Sequence, residues 1–200
     1  MADAYSTRLD DALLFTAQAF RGKIRKGTEV PYLTHLLAVA ALVGEAKGDE
    51  DQIIAALLHD WLEDIPGAEL SELEVRFGAR VARMVDECSD CKGHPKPPWQ
   101  ERKDKYLAHL RTASPDIKLI SAADKLHNCR SIVTDIQTIG PAIFDHFNAG
   151  KAGTLWYYQQ VVVSLKHDGW SHWLLDRLEV EVAALLRLAG AEGLGNDRGV

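Results

Sequence analysis

Four polar residues close the otherwise apolar stretch Ala55-Ala56-Leu57-Leu58-His59-Asp60-Trp61-Leu62-Glu63-Asp64. The adjacent His59 and Asp60 offer a nitrogen and an oxygen to one metal ion. On a continuing helix, Glu63 falls one turn beyond His59, and Asp64 one turn beyond Asp60. Burying so many titratable groups is costly unless a cation or a reaction uses them. The stretch therefore reads as the core of an active site.

Two further donors stand in comparable settings. Pro31-Tyr32-Leu33-Thr34-His35 opens a helix that is apolar through Val43, with Thr34 as its expected cap. Asp124 follows the apolar run Ile117, Leu119, Ile120, Ala122, Ala123 of a helix starting at Pro115. His35, His59, Asp60 and Asp124 are thus four candidate ligands on three helices. Mixed imidazole and carboxylate ligation suits Mn²⁺, Fe²⁺, Co²⁺ or Zn²⁺ and is less typical of structural zinc. Such an ion would lower the pKa of a bound water, and Glu63 or Asp64 could orient that water and take its proton. A net charge of −6 disfavours nucleic acid, so a polyanionic ligand needs a local basic patch. Arg21, Lys23, Arg25 and Lys26 supply one, in a loop marked by Gly22 and Gly27.

The elements that must carry these groups read as helices throughout. Leu9, Leu13, Ala17 and Phe20 share one helical face. Asp49-Glu50-Asp51 is an acidic helix start. Pro66-Gly67 ends the helix that carries the acids, and Ser71-Glu72-Leu73-Glu74 matches a capping box before Val75, Phe77, Val81, Met84 and Val85. Gly93 to Pro98 contains three prolines and must be a loop. Trp99 to Thr112 is helical and basic. Ile132 to Ile139 is expected as a separate short helix, followed by an aromatic-rich helical region to Leu165 and a last helix from Leu174 to Leu188. No alternating strands are evident. The expected fold is all-α.

Length and composition fit one domain, residues 1–190, with a flexible glycine-rich tail at 191–200. There is no membrane-spanning run and no signal peptide, so the expected location is cytoplasmic. Cys88 and Cys91 have CxxC spacing without a second pair, and read as small buried thiols. Tyr32, Trp61, Trp156, Tyr157 and Tyr158 could stack on a base but weigh more as core. Lys125, Arg130, Lys151 and the Trp99–Lys105 segment are further candidate phosphate contacts. The C-terminal helix could pack on its own core or on another subunit, so a homo-oligomer stays open.

The order H…HD…D resembles the HD phosphohydrolase superfamily. A fuller set of motifs looks like the small alarmone hydrolases, stand-alone relatives of the RelA/SpoT enzymes of the stringent response. It comprises Arg25-Lys26, Pro31-Tyr32-x-x-His35, Ala55-x-Leu57-x-His59-Asp60-x-x-Glu63-Asp64, Phe77-Gly78-x-x-Val81-Ala82 and Ala123-Asp124-Lys125-Leu126-x-Asn128. The resemblance spans about residues 8 to 165. It implies an HD-domain helical bundle with a metal site at its centre, hydrolysing the 3′-pyrophosphate of (p)ppGpp or (p)ppApp with one divalent ion, Mn²⁺. It implies His35, His59, Asp60 and Asp124 as ligands and Glu63 and Asp64 as the catalytic pair, with Arg25, Lys26 and Asn128 on the nucleotide. The partner expected is a small-molecule nucleotide, with neither nucleic acid nor membrane. Phe20 and Lys23 stand where many such enzymes carry the His and Gln of AHxGQxR, and Trp61 where smaller residues are common, which leaves the purine open. With no synthetase-like sequence after residue 165, hydrolysis alone is expected. The competing expectations are an HD-type 5′-nucleotidase or NADPH phosphatase, a two-iron oxygenase short of histidines, and a module that binds an alarmone without cleaving it.

Overall fold

Helix α8 (Pro115–Thr138) is the axis on which the other elements are hung. Ile117, Ile120, Ala122, Ala123, Leu126 and Cys129 are all at most 2% exposed, so the middle of the helix is buried on nearly every side. It is covered by α2 (Tyr32–Glu45), α3 (Glu50–Leu58), α6 (Ala79–Cys88), α9 (Gly150–Lys166) and α10 (Trp173–Leu188). Fully burying each of its large aliphatic side chains contributes about 1.5–3 kcal/mol. The structure is a computed structural model that describes residues 5–91 and 95–190. Gly93 and His94 of the expected loop, and the tail at 191–200, lie outside the described residues. Among the described residues the elements are helices, one 3₁₀ segment at Pro141–His146 and a single isolated bridge between Ile24 and Pro31. An all-α domain is what the periodicities led one to expect. No described helix is long and apolar enough to cross a membrane.

The element boundaries are corrected in several places. Residues 132–138 do not form a helix of their own but continue α8, because the apolar phase set at Ile117 runs unbroken through Ile132, Val133 and Ile136. The run from Leu70 to Cys88 is two helices, α5 (Leu70–Phe77) and α6, because Gly78 adopts φ 92° and lets the chain turn between them. Ser71 is not a cap: α5 begins at Leu70 after Glu69, without a side-chain cap bond. Thr34 is not a cap either. Its hydroxyl donates backward to the Pro31 carbonyl at 2.8 Å, and the helix starts at Tyr32. The capping box is instead at Asp49 and Gln52, which bond reciprocally at 3.0 and 2.8 Å and fix the start of α3.

Charged residues set the register of the ligand-bearing helices. The Arg80 guanidinium of α6 bonds to Asp49 at 2.7 Å and Asp116 at 3.0 Å, joining the starts of α3 and α8. Arg8 of α1 (Thr7–Ala19) reaches Asp51 at 2.7 Å and the Phe77 carbonyl at 2.6 Å. These pairs are half-exposed, so each is worth at most about 1 kcal/mol. Their effect is to hold α3 and α8 at one mutual height, which places His59 opposite Asp124.

Candidate active site

His35 lies in the first turn of α2, fully buried, and His59 closes α3 at 3% exposure. The α3 helix does not run on to the acids as its sequence suggests. The His59 Nδ1 sits 2.8 Å from the Ala56 carbonyl, the acceptor that a continuing helix would offer to the Asp60 N–H. The chain turns at Asp60 (φ −96°, ψ 2°) and resumes as the single turn α4 (Trp61–Asp64). That break points His59 and Asp60 inward together and sets Glu63 and Asp64 beside them.

The donor atoms converge. The His59 Nε2 lies 3.1 Å from Asp60 Oδ2 and 3.6 Å from Asp124 Oδ1. The His35 Nε2 lies 3.3 Å from Asp124 Oδ1 and 3.6 Å from Asp60 Oδ2. Donor atoms of His35, His59 and Asp124 are all within 4.8 Å of one another. Both imidazole Nε2 atoms are buried and have no hydrogen-bond partner, a costly arrangement unless a cation takes their lone pairs. The cluster can hold a divalent metal, and Asp60 is placed to join it. Burial pushes His59 down, but the Asp60 and Asp124 carboxylates outweigh it and hold the imidazole well above its usual pKa. Burial likewise raises Asp60 and Asp124. The charges of His59 on the first, and of Lys125 and His59 on the second, bring both well below the usual carboxylate range. Tyr32 donates to Asp60 Oδ2 at 2.5 Å, and its ring is stacked on Phe20 at 5.7 Å.

Glu63 and Asp64 face the same space from α4. Burial, then the nearby Asp60 and Asp90 charges, push Glu63 up to about 8. Its Oε1 accepts the Asp90 N–H at 2.8 Å. Asp64 is bracketed by Lys23 at 3.2 Å and Lys96 at 3.5 Å. Asp90 itself, with a side chain 4% exposed, takes Arg102 and Lys103 at 2.5 Å each. Burial raises Asp90, but the Lys103 and Arg102 cations overcome this and bring it to about 2. A depressed carboxylate stabilises the fold above its unfolded value near 4, and that stabilisation is lost as pH falls through about 2. Asp90→Asn should therefore cost about 2–4 kcal/mol at neutral pH, by stranding two cations. Urea melts of variant and wild type should converge as pH falls towards about 2. Parallel curves would show that the pairing does not carry the stability.

These groups open onto a cavity of about 340 Å³. Arg25, Lys26, Lys96, Arg102, Lys103 and Lys125 line it together with Asp60, Glu63, Asp64, Asp124 and Asn128. Arg25 donates to Asn128 Oδ1 at 2.9 Å, and Asn128 donates to Asp124 Oδ1 at 2.5 Å, so the basic loop is tied to the candidate metal cluster. All nine residues singled out by the sequence as ligands, acids or nucleotide contacts therefore lie in one site. Other candidates do not. Trp61 is 2% exposed and packs on Phe15, while Phe20 is 1% exposed beneath Tyr32, so both are core. Arg130 and Lys151 are exposed and do not line the cavity, whereas Tyr157 and Tyr158 do. Burial pushes the Cys88 thiol up, which leaves it an inert part of the wall. Sequence reasoning missed Asp90, hidden inside the CxxC spacing that drew attention to its neighbours. It also set aside His127, which makes a direct contact with His35.

Residues 12–155 match the family described as HD domain. The guanosine-3′,5′-bis(diphosphate) 3′-pyrophosphohydrolase MESH1 of Mus musculus is 38% identical over 130 residues, covering 64% of this chain and 70% of that protein. The bifunctional (p)ppGpp synthase/hydrolase SpoT of Escherichia coli is 36% identical over 131 residues, 62% of this chain but only 18% of that longer protein. A solved structure of a metazoan ortholog of SpoT that hydrolyses ppGpp superposes with a TM-score of 0.75 at 28% identity. It covers 96% of this chain and 99% of its own.

Proposed function

The chain belongs to the HD domain family, and we propose that it is a hydrolase removing the 3′-pyrophosphate of a purine nucleotide alarmone such as (p)ppGpp or (p)ppApp. One observation carries the reading: two buried imidazole nitrogens without partners converge with two carboxylates, beside an acid pair, in a cavity lined by six cations. His35, His59, Asp60 and Asp124 would hold one divalent ion, and Mn²⁺ suits that mixed donor set. The ion would lower the pKa of a bound water towards neutrality and withdraw charge from a phosphoryl oxygen. Glu63, ionised once a cation offsets the Asp60 charge beside it, takes the proton of the attacking water on Oε2, the oxygen not engaged by the Asp90 N–H. Asp64, held between Lys23 and Lys96, orients the same water. Arg25, Lys26 and Asn128 bind the nucleotide and fix its 3′ phosphorus in line with that water. Substrate and water become the nucleoside 5′-di- or triphosphate and pyrophosphate.

The test compares release of pyrophosphate and of orthophosphate from matched guanosine and adenosine 3′-pyrophosphates, from nucleotides phosphorylated only on the 5′ side, and from NADPH, each with Mn²⁺. Release confined to the 3′-pyrophosphates is expected, and loss of it on chelation. Cleavage of the 5′-only nucleotides would assign a nucleotidase instead. Tight binding without turnover of any of them would make the domain a binding module.

A further inference from the structure

The two histidines of the metal cluster are aimed by different means. His59 closes α3, and its Nδ1 finds the carbonyl of Ala56 one turn back on its own helix, at 2.8 Å. His35 stands in the first turn of α2, and the Pro31 carbonyl four residues back accepts the Thr34 N–H at 3.1 Å and the Thr34 hydroxyl at 2.8 Å. The His35 Nδ1 does not turn to a carbonyl of its own helix. Its Nδ1 instead lies 2.9 Å from the Nδ1 of His127, with the two rings 4.9 Å apart. His127 is three residues beyond Asp124 on α8, hence on the same face as that carboxylate.

Proton bookkeeping orders the pair. One proton serves the Nδ1–Nδ1 contact, so one ring donates and the other presents a lone pair. The His35 Nε2, buried against Asp60 and Asp124 without a hydrogen-bond partner, must keep its lone pair for a cation. The proton of His35 is then on Nδ1, and His127 is the acceptor. We propose that His127 is a positioning residue for the metal site: its Nδ1 lone pair fixes the tautomer and ring orientation of His35. Metal-bound histidines commonly donate to a carboxylate or a carbonyl, and loss of that outer partner weakens metal binding. An imidazole acceptor orients the ligand without adding a third negative charge beside Asp60 and Asp124. An ion held there would therefore be a stronger Lewis acid than with a carboxylate in that place.

This inference rests on the metal cluster and not on the identity of the substrate, so it is tested by metal affinity. His127→Leu removes the acceptor and keeps side-chain bulk, whereas His127→Asn places a carbonyl oxygen near the position of Nδ1. The Mn²⁺ dissociation constant is measured by competition with a fluorescent chelator, with melting of the metal-free proteins alongside. The leucine variant should bind Mn²⁺ about 10–100-fold more weakly and the asparagine variant within about threefold of wild type. Excess Mn²⁺ should restore turnover in both. Wild-type affinity in His127→Leu, or an equal loss in both variants, overturns the role of the lone pair. If the leucine variant fails to fold, the asparagine variant decides: near-native affinity supports the assignment, and a tenfold loss rejects it. A wild-type protein that takes up no divalent ion overturns the metal site itself, and this inference with it.

Discussion

Asp124→Asn should abolish divalent-metal binding and lower hydrolysis by about a thousandfold or more. That corresponds to about 4 kcal/mol of transition-state stabilisation, the scale expected of a Lewis-acidic ion. The residue has no spare capacity. Its Oδ1 lies 3.3 and 3.6 Å from the His35 and His59 Nε2 atoms and accepts from Asn128, and its Oδ2 accepts from Lys125 at 2.5 Å. An amide in its place removes the charge a cation needs and turns an N–H₂ towards either Asn128 or Lys125. Lys125, whose side chain is 14% exposed and lies against the Tyr106 and Tyr157 rings, would then lose its counter-charge. Some thermal stability should fall as well. Metal titration separates the two effects, and a folded Asp124→Asn protein with native Mn²⁺ affinity would remove Asp124 from the ligand set.

Glu63→Gln should lower kcat by about 10²–10⁴-fold while leaving Mn²⁺ affinity within a few-fold of wild type, as expected for loss of a general base. Its Oε1 would still accept the Asp90 N–H, so local structure is kept. The same substitution has a second effect that does not depend on substrate. Glu63 is protonated in the metal-free fold up to about 8, against about 4.3 in an unfolded chain. Stability from a carboxyl raised in this way is fully present below its unfolded value and is lost as pH rises through the folded one. The metal-free wild type should therefore weaken more than the glutamine variant between about pH 4.3 and about pH 8. At about pH 9 the variant should be the more stable, by on the order of 3 kcal/mol in urea melts. Near-native turnover would remove Glu63 from the proposed chemistry, and equal stability at all pH values would mean that its carboxyl is solvated.

Three of the candidate ligands were legible because each falls in or closes an apolar helical run. His35, His59 and Asp124 occupy positions where a core would place aliphatic side chains, and that mismatch can be read without coordinates. Arg25, Lys26 and Asn128 were legible only together with the family resemblance, since nothing in a lone basic loop says that it folds over a cavity. The break at His59–Asp60 was not legible. Ile53 to Leu62 has helical periodicity without glycine or proline, and the interruption arises where the His59 imidazole takes the Ala56 carbonyl. Phe20, Lys23 and Trp61 looked like departures at a substrate-reading surface. In the fold Phe20 and Trp61 are packing residues, and Lys23 is paired with Asp64.

Asp90 and His127 mark the limit of sequence reading most clearly. An aspartate between two cysteines and a lone, partly exposed histidine carry no local signal. Their roles depend on partners at separations of 12, 13, 27 and 92 residues. By itself the sequence determined the all-α class and the chemistry available, because helical periodicity and misplaced polar residues are local properties of the chain. Only the tertiary structure decided which carboxylates pair with cations, which histidine orients another and which aromatic residues face the cavity. Those outcomes depend on how helices far apart in sequence meet on α8, where burial removes water and leaves each polar group to its neighbours.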